Sequence, residues 1–278
     1  MALNTVNKHI NFCILDKYKI TKLLCKGSCG KAYLAEIIGT DEMAVVKIIK
    51  KIENKTENKI IRDTQIPKLI LHKNIVKILD FFENDDFAYV ILPYIEKCVC
   101  LSKLGLLDLD FTNKDKFEYM INMMIQICNA IEFMHSNFII HRDIKPQNII
   151  ISEKLAILID FDLAFSLVDS RYPLRNGFIG TPNYAAPEIW FNDKNINYGL
   201  CDIYSFGVTL YYIFNKKKLP YSEEISIDEL EYYIRYSKPK LSNSGFSVLD
   251  KLIMAIINKN PQKRPNIQEI KMNLSKLI

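Results

Sequence analysis

No long uninterrupted hydrophobic run occurs in this chain of 278 residues. The longest apolar stretch, Phe87 to Ile95, is broken by Pro93, whereas a bilayer-spanning helix needs about 20 consecutive apolar residues. A membrane protein is therefore not expected. The first residues carry Lys8, His9, Asp16 and Lys17 where a secretory leader would need an apolar core. Zinc-site spacing is lacking too. The seven cysteines are odd in number and scattered, and neither Cys25/Cys29 nor Cys98/Cys100 belongs to a paired set. They read as reduced thiols of an intracellular protein, cytoplasmic or nuclear, with Lys216 to Lys218 as a weak import signal. Strong charge is absent as well, the net being +5. The basic stretches Lys50-Lys51-Lys55-Lys59 and Lys216-Lys217-Lys218 read as solvated faces or as an attraction for acidic protein substrates. No stacking motif accompanies them, so a nucleic-acid partner is not expected. No repeat, low-complexity tract or second domain interrupts the chain.

What is present is an ordinary globular composition, 49% hydrophobic and 25% charged, long enough for one large domain or two lobes with a cleft between them. Short apolar runs punctuated by turns fill the first ninety residues. Tyr18 to Leu24, Lys31 to Ile37, Met43 to Ile49, Ile75 to Phe82 and Phe87 to Leu92 read as strands, with Gly39-Thr40-Asp41 as a turn and Glu57 to Leu71 as a helix. From Lys114 the spacing turns helical: Phe117, Ile121, Met124, Cys128, Ile131 and Met134/His135 share one face. Cys201 to Phe214, Leu230 to Tyr236, Phe246 to Asn258 and Asn266 to Lys276 read as further helices. Strands first and helices later predict an α+β chain, with a small β-rich lobe, a larger helical lobe and a hinge at Pro93-Tyr94-Ile95-Glu96.

The chemistry concentrates in Ile140-His141-Arg142-Asp143-Ile144-Lys145-Pro146-Gln147-Asn148-Ile149-Ile150 and in Leu158-Ile159-Asp160-Phe161. A charged cluster between apolar runs reads as a polar loop between buried strands. Such a loop can aim Asp143, Lys145 and Asn148 into a cleft, with Asp160 at the end of the next strand. A proton acceptor, a cation and two metal-binding oxygens are what phosphoryl transfer needs, because its catalysis is mostly positioning and charge neutralisation.

These segments resemble the catalytic loop and metal-binding motif of eukaryotic protein kinases of the Ser/Thr type, and the resemblance extends from about Tyr18 to the C-terminus. It implies a bilobal kinase-like fold over residues 18–278, after an N-terminal extension of residues 1–17. The small antiparallel β-rich lobe with its helix C would span 18–95, and the mainly α-helical lobe 96–278. By the same resemblance, Cys25-Lys26-Gly27-Ser28-Cys29-Gly30 takes the place of the glycine-rich phosphate loop, with Cys25 at its first glycine. Lys47 would hold the ATP phosphates. Ala32, Val45, Leu92, Tyr94 and Ile150 would line an adenine slot, Ala32 and Val45 having exchanged sizes at constant volume. Asp143 would take the substrate proton, Lys145 would neutralise the γ-phosphate, and Asn148 and Asp160 would bind Mg2+ or Mn2+. Thr181, in Gly180-Thr181-Pro182-Asn183-Tyr184-Ala185-Ala186-Pro187-Glu188, would bridge Asp143 and Lys145. Glu188 would pair with Arg264, and Asp202 would brace the catalytic-loop backbone.

The departures from the family pattern fall on mobile parts. Asp63 stands where the glutamate partner of Lys47 is usual, and Pro67 removes a hydrogen bond to the Asp63 carbonyl. Together they imply either a helix C that shifts inward so that Asp63 pairs normally, or one that needs a regulatory partner to dock it. Asp162 replaces the glycine after Asp160-Phe161 and narrows the backbone freedom there. Gly177 occupies the usual phosphorylation position, which leaves Ser166, Ser170 and Tyr172 as alternatives and Arg142 without its usual phosphate partner. Gln147 in place of glutamate leans the substrate preference toward acidic or neutral proteins. The hinge and the Gly180-Thr181-Pro182 segment resemble those of cell-division-control kinases of the DDK type, which depend on a regulatory subunit. Competing readings are a pseudokinase scaffold and a small-molecule kinase. The complete set Lys47, Asp143, Lys145, Asn148 and Asp160 argues against the first, and the Gly180-to-Glu188 segment against the second.

Overall fold

Burial alternates residue by residue through the first part of the chain, and the backbone there is extended accordingly. The computed structural model describes residues 13–27, 30–51, 66–68, 70–105, 109–169, 178–191, 195–221 and 225–278. The chain divides into two units, Met1–Leu71 with Val76–Glu96, and His72–Ile75 with Lys97–Ile278. In the first, β1 (Cys13–Ile14), β2 (Tyr18–Gly27), β3 (Gly30–Ile37), β4 (Met43–Lys50), β5 (Asp80–Glu83) and β6 (Phe87–Pro93) form one antiparallel sheet in the order β1-β2-β3-β4-β6-β5. On one face Tyr33 lies opposite Val46, Ala35 opposite Ala44 and Val46 opposite Ile91, and these pack with Ile14, Tyr18 and Ile20. One residue along, the side chains point the other way. That second face carries Ala32 and Val90 on either side of Lys47, with Leu34 and Leu92 on either side of Val45. A Cβ on Gly30 would come within 2.2 Å of the Ile48 carbonyl oxygen, so strand contact alone demands glycine there.

Two expectations change in this unit. The strand expected from Ile75 begins only at Asp80. Residues 72–75 belong to the other unit, because the buried Asn74 donates through Nδ2 to Ala156 O and Gln126 Oε1, both at 2.8 Å, and Ile75 makes a single bridge to Leu158. The helix expected over Glu57–Leu71 falls mostly outside the described residues. Residues 66–68 are helical, and Ile70 and Leu71 are not.

The second unit is built on α1 (Lys114–Ser136) and α3 (Tyr198–Phe214), with α2 (Pro187–Trp190), α4 (Ile227–Tyr236), α5 (Ser247–Ile256) and α6 (Ile267–Ser275). The Asn113 side chain caps α1, whose expected face is buried from Phe117 to Met134. Helix α3 is buried from Cys201 to Tyr211, and a Cβ on Gly207 would meet Ile256 Cγ2 at 2.5 Å, so a glycine lets α3 and α5 touch. Helices α3 and α4 start three residues earlier than their apolar spacing indicates, because Asn197 and Ser226 cap them there. Short strands carry the polar loops. β7 (Val99–Cys100), β9 (Ile149–Ile151) and β10 (Ala156–Leu158) form one sheet, and β8 (Ile139–Ile140) pairs with β11 (Phe165–Ser166). Among the described residues no helix is long and apolar enough to cross a membrane.

Candidate active site

The catalytic loop runs from β8 to β9, and its polar side chains converge on Asp143, which is 7% exposed. Lys145 Nζ lies 2.7 Å from Asp143 Oδ2 and donates to Thr181 Oγ1 at 2.6 Å. The Thr181 hydroxyl in turn donates to Asp143 Oδ1 at 2.6 Å. Asn148 Nδ2 donates to Asp143 O at 2.8 Å and to Asp143 Oδ2 at 3.0 Å. The structure thus gathers four of the sequence-derived residues, with the carboxylate held by cationic and neutral donors. Gly180, at φ 129°, lets Thr181 approach: a Cβ there would stand 3.1 Å from Arg142 O.

Two non-glycine residues of this region hold left-handed backbone angles, Arg142 at φ 66° and Asp160 at φ 68°. Such strain clusters where geometry is over-determined. The left-handed residue is Asp160, while Asp162 lies in a turn closed by Ala164 N–H donating to Phe161 O at 3.0 Å, without a positive φ. An aspartate fits such a turn without backbone strain. Asp162 is buried and Phe161 fully so. The Phe161 ring lies 4.8 Å from that of His141, edge to face.

His141 joins the loop to the Asp160 segment. Its Nδ1 accepts from Asp143 N–H at 3.3 Å, and its Nε2 donates to Ile159 O at 3.2 Å, a tautomer set by that pairing. Arg142 likewise reaches across: its Nε donates to Leu163 O at 2.7 Å and its guanidinium lies 4.8 Å from the Phe165 ring centroid. Sequence reading left this arginine facing an absent phosphate; the backbone of the following segment occupies it instead.

The bracing residues are buried. Asp202 accepts from His141 N–H at 2.9 Å and Arg142 N–H at 2.8 Å. Its third partner, His135 Nε2 at 3.0 Å, was missed from sequence, because no spacing links α1 to α3. Arg264 grips Glu188 with two bonds of 2.6 and 2.8 Å, and donates also to Asn258 O and Leu200 O. Burial and the Glu188 carboxylate push the Cys201 thiol well above its ordinary range, so it stays protonated and donates to Glu188 Oε1 at 3.3 Å.

Among the described residues no cluster of three or more His, Cys, Asp or Glu side chains could hold a metal ion. The pair Asn148 and Asp160 still fits magnesium, which is usually held by one or two protein oxygens together with substrate phosphates. With Asn148 Nδ2 committed to Asp143, its Oδ1 is the amide atom left for a cation. In the first unit, Lys47, Ala32, Val45 and Leu92 share one sheet face, Cys25 pairs with Ala32 and Gly27 with Gly30, and Tyr94 is exposed. Ile150 lies in β9 opposite Cys100. Ser28, Cys29, Asp63, Ser170, Tyr172 and Gly177 lie outside the described residues.

A family model described as protein kinase domain matches residues 18–274. A protein of Acanthamoeba polyphaga mimivirus, whose name places it among serine/threonine-protein kinases, is 45% identical over 267 residues, covering 94% of this chain and 95% of its own length. The serine/threonine-protein kinase MARK-C of Dictyostelium discoideum is 32% identical over 92% of this chain, and the carbon catabolite-derepressing protein kinase of Saccharomyces cerevisiae 31% over 92%. The chain spans only 33% and 39% of those two longer proteins. With the family model matching almost from end to end, the chain belongs to the protein kinase family, of the eukaryotic serine/threonine type.

Proposed function

We propose that the chain transfers the γ-phosphate of ATP to serine or threonine hydroxyls of protein substrates, with Asp143 orienting and accepting the hydroxyl proton. The observation that carries this reading is the Asp143 carboxylate, held by Lys145, Thr181 and Asn148 within 3.0 Å. That fixes a proton acceptor beside a cation, the arrangement phosphoryl transfer requires. Lys145 neutralises charge that shifts onto the transferred group. Asn148 and Asp160 would hold Mg2+ through Oδ1 and the carboxylate, and the ion supplies charge neutralisation at the phosphates. Lys47, flanked by Ala32 and Val90, is the nucleotide's phosphate anchor, and the apolar residues on its sheet face receive the adenine.

The test is radiolabelled ATP with a generic acidic and a generic basic protein, comparing the wild type with Asp143→Asn. The variant should lose at least about a hundredfold in labelling rate, the scale of a general base; equal labelling by both proteins sinks the reading. Faster labelling of the acidic substrate is expected from Gln147 and the positive balance. The segment around Asp63 and Pro67 is proposed to need a docking partner. A purified lone chain already working at full rate, with no gain from added cell extract, would remove that part. An intracellular site of action, in cytoplasm or nucleus, completes the proposal.

A further inference from the structure

Helix α4 buries Leu230 and Ile234, 4 and 1% exposed, against Tyr221. Its outward face, where a surface helix normally carries charge, instead presents Tyr232, Tyr233 and Tyr236, which are 59, 42 and 69% exposed. Their spacing sets them on one stripe. The Tyr232 ring lies 5.9 Å from that of Tyr233 and 5.0 Å from that of Tyr236. The helix under them is fixed: Arg235 bonds Glu231 at 2.9 Å and stacks 4.3 Å from the Phe191 ring centroid.

The charges along this stripe are segregated. Asp228 and Glu229 stand exposed in the first turn, at three- and four-residue spacing from the tyrosines, with Glu229 also capping the helix by accepting from Ser226 N–H at 2.8 Å. Lys238 and Lys240 stand exposed just past the last turn, with Lys240 N–H bonded to Pro220 O at 2.9 Å. A stripe that is acidic at one end, aromatic in the middle and basic at the other is complementary to itself turned end for end. A two-fold axis through the tyrosines would set the acidic end of one helix against the basic end of the other, and isologous two-fold contact is the commonest mode of self-association. Exposed aromatic rings supply the anchors such contacts use. A polyanion long enough to cover all three rings would run onto Asp228 and Glu229, and this disfavours nucleic acid.

We propose that α4 is a self-association surface, pairing antiparallel with α4 of a second copy of this chain. A helix of this length offers about 15 Å of contact, which places the interface at the small end of the known range and the dimer in the micromolar regime. The experiment is molar mass by light scattering and sedimentation of the full chain, from about 1 to 500 μM. The wild type should rise from monomer to dimer mass. Two charge-reversed chains, one with Asp228→Lys, which leaves the Glu229 cap in place, the other with Lys238→Glu and Lys240→Glu, should each weaken self-association by about tenfold or more, and mixing them should restore a dimer. That rescue cannot arise from misfolding. Tyr232→Ser with Tyr236→Ser should dissociate the dimer, whereas both changed to Phe should keep it. A wild type monomeric throughout, or a dimer indifferent to these changes, overturns the proposal. Mass is read without phosphoryl transfer, so the result is independent of the catalytic reading.

Discussion

Arg264 and Glu188 show what one buried pair does in this chain. Their side chains are 0 and 5% exposed, and the guanidinium satisfies the carboxylate and several carbonyls at once. Removing one partner leaves the other charge buried, so Arg264→Ala should cost about 3–5 kcal/mol, seen as a loss of urea resistance and a melting temperature several degrees lower. Tyr221 illustrates the opposite sign. It is 7% exposed, and its hydroxyl has no hydrogen-bond partner among the described residues. Desolvation of a lone hydroxyl costs about 1–3 kcal/mol. Tyr221→Phe should therefore melt at the wild-type temperature or above it; a clear drop would show that the hydroxyl is paired in solution. Residue identities at the site could be read in advance, but backbone angles could not: the left-handed one falls at Asp160, two residues before Asp162.

At the level of elements, the segment His72–Ile75 is held on α1 by the His72 ring, 4.9 Å from that of Phe133, and its own turn is closed by His72 Nδ1 accepting from Asn74 N–H. Burial, and then the neighbouring Lys73, hold the His72 pKa below the ordinary 6.5. The unfolded chain binds this proton more readily, so the contribution to stability is full above about pH 6.5 and declines as pH falls toward the folded-state pKa. Urea midpoints at pH 7.5 and 5.5 should show a smaller acid-side loss for His72→Phe, which keeps the ring stack, than for the wild type. The same segment shows where element reading fails. An apolar run from Ile75 looks like a strand by composition, but the Asn74 amide ties its start to Ala156 and Gln126, partners remote in sequence. Helix starts shifted for a related reason: Asn197 and Ser226 set them through caps, which apolar spacing does not register.

For the whole molecule, the residues assigned to the nucleotide lie chiefly in the first unit and those assigned to transfer in the second. A ligand bound only by the folded chain stabilises it by mass action, about 2.7 kcal/mol at a hundred times its Kd. Mg·ATP should accordingly raise the melting temperature, and EDTA, Lys47→Met or Asp160→Asn should each reduce that rise; an unchanged shift in all three would remove these residues from nucleotide binding. The sequence by itself determined the reaction class, since proton acceptor, cation and oxygen ligands sit within twenty residues and each carries its chemistry in its side chain. It determined the α+β order as well, because burial period follows residue type. Only the tertiary structure decided that Arg142 bonds Leu163 O, that His135 shares Asp202, that Gly30 and Gly207 are needed for close contact, and that three tyrosines share one exposed stripe. Those facts depend on which distant atoms meet, and chain-local pattern holds no record of that.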